Sequence, residues 1–250
     1  MTVADPIVVS RQAGVMVVAK PPGLPTQAPP GIDSVESWAR RRVVGPGGYL
    51  GIPHRLDRAV SGVLLLAETP RAARKLSRQF ERRQIAKRYA ALLACTVAES
   101  RPRPGDTWTD WVCKVADEPR ARGATAGEPG AREAVTIVQG ALPISDDRVA
   151  VLLEPLTGRM HQLRLQAALR GTPVVGDTLY GGPSLDGAEW LVVDHRIEPI
   201  LLHALEITWR DPDDDSSARA VAPLPSSWPA AIAATIARLV EVTPAASPRG

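Results

Sequence analysis

Short apolar runs separated by turn-forming residues recur along much of the chain. Residues 15–19 (VMVVA) and 63–67 (VLLLA) are continuous apolar segments with the length typical of buried strands. Residues 84–93 alternate and then become apolar, which also predicts a strand. Further strands are predicted at 108–115, 135–138 and 149–153, the last two paired around the turn at 145–147. The pattern therefore predicts a fold rich in β-sheet.

Helices are predicted where apolar residues recur every three or four positions along the chain. Thr69 and Pro70 form a helix start, and an apolar stripe follows with basic side chains mostly off it. The stripe consists of Ala72, Ala73, Leu76 and Phe80. Other helices are predicted at 34–42, from 157 or 158 to about 170, and from 228 to about 242.

The remaining segments lack either pattern. Residues 1–14 are predicted to be an N-terminal arm, 117–132 a flexible loop rich in Gly, Pro and Ala, and 243–250 a disordered tail. One folded domain is left at 15–242, and a chain of 250 residues can give it a substantial core.

Composition narrows the class of protein. The chain has no run of about 18 apolar residues and no charged-then-apolar leader, so we expect a cytoplasmic protein without a membrane partner. Its cysteines, Cys95 and Cys113, are too few for a disulfide framework or a metal cage, which predicts buried neutral thiols.

Positive charge is concentrated in one segment. The net charge is only +3, but residues 71–88 contain six Arg and two Lys against the single acid Glu81. Clustered positive charge favours a polyanionic partner such as nucleic acid. The alternative is a solvated helix face without a partner.

Residues 53–67 (PHRLDRAVSGVLLLA) combine a polar cluster with a core strand. Asp57 is placed at the entrance of that strand, where a rigid element can hold a reactive carboxylate in fixed geometry. The alternative is a surface turn in which Asp57 pairs with Arg55 or Arg58.

A second candidate position follows from helix geometry. If a helix starts near 157, then Met160, Leu163, Ala167 and Ala168 share one face and Arg164 lies in the middle of it. A guanidinium on an apolar face is costly unless a carboxylate meets it. Arg164 is therefore predicted to have a buried acidic partner.

Several motifs resemble those of the RluA-like pseudouridine synthases, in order, over residues 15–205. The sequence HRLD at 54–57 followed by Ser61-Gly62 is similar to the segment that carries the catalytic aspartate of that family, although Val60 stands where the family usually has Thr. The other similar segments are VVAKPPGL at 17–24, Lys87-x-Tyr89, TGRMHQLR at 157–164, VGD at 175–177 with Tyr180-Gly181, and LLHA at 201–204. The turn at 17–24 is a common pattern and gives weak support, whereas the segments of Asp57 and Arg164 are specific.

The resemblance implies an α+β fold, with a single catalytic domain in which helices flank a large, mostly antiparallel mixed sheet. It implies a form without the additional N-terminal RNA-binding domain. The expected activity is isomerisation of a specific uridine in tRNA or rRNA to pseudouridine, with base flipping. We expect no cofactor and no metal, RNA as partner and a monomeric protein.

The resemblance also assigns roles to residues. Asp57 is the expected catalytic carboxylate, Arg164 its ion-pair partner, and Tyr89 the ring that packs on the base and takes part in removing the C5 proton. Arg55 is expected to fill the space left by the flipped base. The other expected substrate contacts are His54, Arg159 and Leu202, whereas His203 is expected to be structural.

Two other functions are consistent with parts of the sequence. A nucleoside or glycoside hydrolase would use Asp57 with a second carboxylate such as Asp177 or Glu154. A non-catalytic RNA-binding module would be expected to lack Asp57, Tyr89 or Arg164, and all three are present.

Overall fold

The structure, a computed structural model, describes residues 4–45, 47–184 and 200–245. Its helices are α1 (Val35–Ala39), continued by a wider helical turn at Arg40–Val44, α2 (Pro70–Glu81), α3 (Gln162–Leu169) and α4 (Ala230–Val242). Its strands are β1 (Ile7–Gln12), β2 (Val15–Lys20), β3 (Ser61–Ala67), β4 (Ala86–Ala94), β5 (Thr107–Lys114), β6 (Ala121–Ala124), β7 (Arg132–Ser145), β8 (Arg148–Pro155), β9 (Leu202–Arg210) and β10 (Ser217–Val221).

Within the described residues, all ten strands belong to one mixed sheet. The order is β1-β2-β3-β9-β4-β8-β7-β5-β6, and β10 also pairs with β9. The β3–β9 pair is parallel and the other pairs are antiparallel. This confirms the expected α+β fold with a mostly antiparallel mixed sheet.

A glycine makes the central parallel pair possible. Gly62 on β3 lies opposite Ala204 on β9 and has φ of +124°. A Cβ atom at position 62 would lie 2.2 Å from the carbonyl oxygen of Ala204. Only glycine permits this close approach of the two backbones, which explains the Ser61-Gly62 pair at the start of the strand.

Alternation along β4 assigns side chains to the two faces of the sheet. Ala90 and Leu92 pack with α4, whereas Ala91 and Leu93 pack with the cluster that includes α3. Because successive strand residues point to opposite faces, the odd-numbered residues of β4 face α3. Tyr89 lies on that face.

Local hydrogen bonds and backbone conformation define both ends of helix α2. The Thr69 hydroxyl accepts from the Ala72 N–H, and Pro70 occupies the first turn. At its C-terminal end Arg83 adopts φ of +57°, and its N–H donates to the Phe80 carbonyl. Glycine usually fills such a left-handed position, so the end of α2 holds an arginine in an uncommon backbone conformation.

Three segments differ from the prediction. Residues 7–12 of the predicted arm form β1, which pairs with β2; its apolar run Ile7-Val8-Val9 is short and all its side chains are exposed. The predicted loop at 117–132 contains β6, a four-residue strand of sequence ARGA paired with β5. At the predicted tail, the carbonyls of Thr243 and Pro244 accept from the Arg88 guanidinium, and residues 246–250 lie outside the described residues.

Two smaller predictions are also modified. Helix α3 starts at Gln162 rather than near 157, because residues 157–161 form a loop fixed by side-chain hydrogen bonds. Cys95 is buried as expected, whereas Cys113 is half-buried.

Candidate active site

The loop that carries Asp57 is fixed through the backbone on both sides of that residue. Before it, the Thr26 hydroxyl accepts from the Leu56 N–H and donates to the Leu56 carbonyl. After it, the Arg58 carbonyl accepts from the Gly23 N–H at 2.8 Å. The segment after β2 therefore holds the backbone of the catalytic-loop candidate and leaves the Asp57 side chain 32% exposed.

Lys20 at the end of β2 strengthens this attachment. Its ammonium is 2% exposed and donates to the carbonyls of Pro21, Leu24 and Arg58. Burial lowers the pKa of Lys20 to about 7, although the charge of Asp57 acts in the opposite direction. The sequence marked Lys20 only as part of a turn.

Asp57 opens into a cleft of about 850 Å³. The cleft lies between the Asp57 loop, the end of α2, the start of β4 and the segment that leads into α3. Every predicted site residue contributes to its lining: His54, Arg55, Asp57, Tyr89, Arg159, Arg164 and Leu202. The structure thus brings together residues from four separate segments of the sequence.

Arg164 has a buried acidic partner, but its main partner is Asp177 rather than Asp57. Its Nε and one terminal nitrogen donate to the two Asp177 oxygens at 2.6 and 2.7 Å, and Asp177 is 1% exposed. The other terminal nitrogen lies 3.6 Å from Asp57 Oδ2, which is an ion pair beyond hydrogen-bond distance. The predicted pairing of Arg164 with Asp57 is therefore correct only as a secondary contact.

Both acids influence the guanidinium. Burial alone would lower the pKa of Arg164, but the hydrogen bonds and charge of Asp177, together with the charge of Asp57, raise it above the ordinary value. Arg164 is consequently a fixed positive charge beside Asp57.

A histidine next to Asp57 was absent from the predicted site. His161 Nε2 lies 3.7 Å from Asp57 Oδ2, and its Nδ1 lies 2.9 Å from the Tyr180 hydroxyl. The available signal was position alone, since His161 precedes Gln162 within the TGRMHQLR segment. Burial lowers the pKa of His161, so the imidazole is neutral near pH 7.

Glutamine and threonine hydrogen bonds fix the start of α3. Gln162 Oε1 accepts from the Thr157 hydroxyl and the Arg159 N–H, and its Nε2 donates to the Val135 carbonyl. Gln166, one turn later, is fully buried and donates to the carbonyls of Trp108 and Ala134. These bonds attach α3 to the sheet and so set the position of Arg164.

Tyr89 and Leu202 form the inner wall of the cleft. Tyr89 projects from the α3 side of β4, and burial followed by the charge of Asp57 raises the pKa of its hydroxyl. Leu202 is the first residue of β9 and is 2% exposed. Together they provide an apolar and aromatic surface beside Asp57.

His54 and Arg55 differ in their suitability for contacting a substrate. His54 Nε2 accepts from the Leu65 N–H of β3, and the ring stacks on Phe80 at 4.5 Å between centroids. Burial lowers the pKa of His54 to about 3, so the ring is a neutral, fixed part of the wall. Arg55 is exposed at the mouth of the cleft.

His203, which precedes Ala204 in the central parallel pair, is buried. It is 1% exposed, with Nδ1 2.8 Å from the Ser61 hydroxyl and Nε2 3.3 Å from the Ala222 carbonyl. Burial lowers its pKa to about 4. These contacts agree with a structural role and attach β3 to β9 below the Asp57 loop.

Arginines surround the outer edge of the cleft. Arg83 and Arg159 line it, and burial together with the positive charges of Arg83 and Arg132 lowers the pKa of Arg159. The Arg159 Nε donates to the Glu133 carbonyl, which fixes its orientation. Arg88, by contrast, is 1% exposed and ion-paired with Glu206, so not all of the basic segment 71–88 faces a ligand.

The carboxylates that a hydrolase would need are placed unfavourably. Asp177 has both oxygens bonded by Arg164, and Glu154 accepts from Gln139 and does not line the cleft. Among the described residues, the acidic side chains of the cleft wall are those of Asp57 and Glu81.

Residues 4–45, 47–184 and 200–245 contain no group of three or more His, Cys, Asp or Glu side chains arranged to hold a metal ion. None of their helices combines the length and apolar character needed to cross a bilayer.

Comparisons with known proteins agree on one class. The family model for RNA pseudouridylate synthases matches residues 14–169. The dual-specificity RNA pseudouridine synthase RluA of Haemophilus ducreyi is 33% identical over 205 residues, which cover 78% of this chain and 89% of the relative. An uncharacterized RNA pseudouridine synthase of Zymomonas mobilis is 34% identical over 220 residues, or 86% of this chain and 92% of the relative. Among solved structures, human RNA Pseudouridylate Synthase Domain Containing 1 aligns over 99% of both chains, with a TM-score of 0.66 and 27% identity.

Proposed function

The chain belongs to the RluA-like family of RNA pseudouridine synthases, and on that premise we propose that it isomerises a specific uridine of tRNA or rRNA through Asp57. The observation that carries the assignment is the placement of a one-third exposed carboxylate, beside a fixed guanidinium, in a cleft with an aromatic wall.

The reaction rearranges bonds within one nucleotide. The bond between N1 of the base and C1′ of the ribose breaks, the base turns, and a bond forms between C5 and C1′. The proton on C5 leaves and N1 gains a proton, so the product has the mass of the substrate. The chain must therefore stabilise a detached uracil and its sugar while excluding water from C1′.

Asp57 supplies the negative charge for this step. Its carboxylate acts as the nucleophile or as the charge that supports departure of the uracil anion. Arg164 keeps this carboxylate ionised, since an adjacent positive charge favours the charged form. The immobility of Arg164 on Asp177 supports this role, because its charge needs no rearrangement during the reaction.

Tyr89 is assigned to the base and to the C5 proton. Its ring lies on the cleft face of β4, where it can pack on uracil with Leu202 beside it on the same wall. The raised pKa of the hydroxyl keeps it neutral, so it can hold or relay a proton rather than carry a charge next to Asp57.

The arginines at the cleft edge are assigned to the RNA backbone. Both Arg83 and Arg159 line the cleft, and the Glu133 carbonyl fixes the Arg159 guanidinium at little further entropic cost, whereas Arg83, on the left-handed turn at the end of α2, is exposed. Phosphate contacts here could offset the few kcal/mol needed to flip the uridine out of its stack. Arg55 at the cleft mouth is the side chain assigned to fill the vacated space.

The activity is tested with bulk tRNA and rRNA from cells lacking this protein. After incubation with the wild-type chain, nucleosides are separated by mass spectrometry, and pseudouridine should increase without release of free uracil. Asp57→Asn should abolish the product while Asp33→Asn, at a surface site whose side chain is 77% exposed, should not. Free uracil, or near-wild-type turnover by Asp57→Asn, would overturn the assignment.

The RNA contacts are tested by the salt dependence of binding. Arg83→Gln and Arg159→Gln should each weaken RNA binding and reduce the slope of log Kd against log salt by about 1. Arg238→Gln is the matched control, since Arg238 is exposed on α4, on the opposite face of the sheet. Equal slopes for all three variants would place the RNA elsewhere.

A further inference from the structure

His161 is held in an uncommon conformation beside the catalytic carboxylate. It has φ of +51° at the start of α3, where no side chain caps the helix, and its side chain is 11% exposed. Left-handed backbone is uncommon at residues other than glycine, although histidine adopts it more often than most, and such conformations cluster at functional sites. The conformation places Nε2 3.7 Å from Asp57 Oδ2, the same oxygen that Arg164 approaches.

The other side of the imidazole is attached to Tyr180. Nδ1 lies 2.9 Å from the Tyr180 hydroxyl, and the two rings meet edge to face at 5.7 Å. The Tyr180 hydroxyl also accepts from the Ala121 N–H at 2.9 Å and lies 3.2 Å from the Ala121 carbonyl. A continuous series of contacts thus leads from β6 through Tyr180 and His161 to Asp57.

Hydrogen-bond capacity sets the direction of this series. The Tyr180 hydroxyl has one hydrogen, and His161 Nδ1 at 2.9 Å is a nearer acceptor for it than the Ala121 carbonyl at 3.2 Å. When that hydrogen goes to Nδ1, the neutral imidazole carries its own hydrogen on Nε2, facing Asp57. The distance of 3.7 Å exceeds a hydrogen bond, but catalytic contacts commonly shorten when the substrate is bound.

We propose that His161 is a positioning residue that orients the Asp57 carboxylate and ties its orientation, through Tyr180, to the β5–β6 hairpin. The hairpin reaches the same cleft, since Lys114 at the end of β5 lines it. The inference rests on the proposed function, because it assigns a partner to the carboxylate that performs the reaction.

Two substitutions at position 161 separate positioning from a purely structural role. Asparagine tolerates the left-handed backbone but its amide mimics only Nδ1, whereas glutamine extends far enough to mimic Nε2. If His161 positions Asp57, His161→Asn should lower kcat about 10-fold to 100-fold and His161→Gln should lower it less, with KM for RNA nearly unchanged. If the role is only to form the turn, the order of the two variants should be reversed.

The link to the hairpin is tested with Tyr180→Phe. This variant keeps the ring beneath Arg164 but loses the hydroxyl, and it should lower kcat without adding to the effect of His161→Asn in the double variant. Tyr49→Phe, at a tyrosine that is 42% exposed, is the control. Additive effects, or wild-type kcat in His161→Asn, would overturn the inference, whereas absence of pseudouridine with the wild-type chain would refute the proposed function instead.

Discussion

Substitution of Asp177 should destabilise the protein far more than substitution of Asp57, although only Asp57 is assigned to the chemistry. Asp177→Asn removes the charged partner of a guanidinium that is 6% exposed and leaves an acceptor for at most one of its two short hydrogen bonds. Breaking a buried ion pair by removing one partner costs about 3–5 kcal/mol. For a chain of this length that corresponds to a decrease in Tm of about 6–20 °C.

The expectation for Asp57→Asn is different. Asp57 is one-third exposed and its nearest contact with Arg164 is 3.6 Å, so the pair contributes about 1 kcal/mol or less to the free energy of unfolding. The variant should therefore melt within about 4 °C of the wild type. It should nevertheless make no pseudouridine.

A double variant without either charge checks the origin of the difference. Arg164→Met leaves Asp177 buried without a partner and should be as destabilising as Asp177→Asn. Combining Arg164→Met with Asp177→Leu replaces both charges by apolar groups and should recover part of the lost stability, because it leaves no buried charge unpaired. Thermal unfolding followed by circular dichroism measures all four variants. Similar Tm values for Asp57→Asn and Asp177→Asn would refute this account of the ion pair.

Three further substitutions test the support of the site by thermal unfolding. Gly62→Ala should destabilise the protein by more than about 3 kcal/mol because the new Cβ meets the Ala204 carbonyl, whereas Gly123→Ala, with ordinary contacts, should not. Lys20→Met should cost about 1–3 kcal/mol and lower kcat more than RNA affinity, since three carbonyls around the HRLD loop lose their donor. His203 has a pKa of about 4 when folded and about 6.5 when unfolded, so the unfolded chain binds its proton first and about 3 kcal/mol of stability is lost as pH falls from 6.5 to 4. His203→Gln should flatten that dependence, and an unchanged pH profile would contradict the assignment.

The main elements around the site could be predicted from the sequence because the hydrophobic patterns of β3 and α3 coincide with the specific segments that carry Asp57 and Arg164. The apolar run of β3 is buried along its whole length, as its continuous hydrophobicity indicated. The position of Arg164 on the apolar face of α3 correctly required a buried carboxylate. Edge strands β1 and β6 were missed because β1 carries only the short, exposed apolar run Ile7-Val8-Val9 and β6 has only four residues, so backbone pairing with a neighbouring strand determines them.

The identity of the carboxylate partner could not be obtained in the same way. Helix geometry shows that a charge needs a partner but not which acid the loops bring to it, and both Asp57 and Asp177 were available. The distinction depends on the turn at 177–181, which brings Asp177 back against the helix through hydrogen bonds of its own backbone. His161 and Lys20 were missed for a related reason, since each acts through tertiary contacts that leave no local pattern.

The division between Asp57 and Asp177 has a chemical reason. A carboxylate that reacts with C1′ must change its charge and its contacts during turnover, whereas a buried guanidinium requires a constant partner. If Arg164 relied on Asp57 alone, each covalent step would leave an uncompensated positive charge in the cleft, at a cost of several kcal/mol. With Asp177 holding two of its nitrogens, Arg164 stays in place, and Asp57, in its proposed role, is free to change its charge and contacts. The secondary contact of 3.6 Å is therefore the geometry that a reacting carboxylate needs.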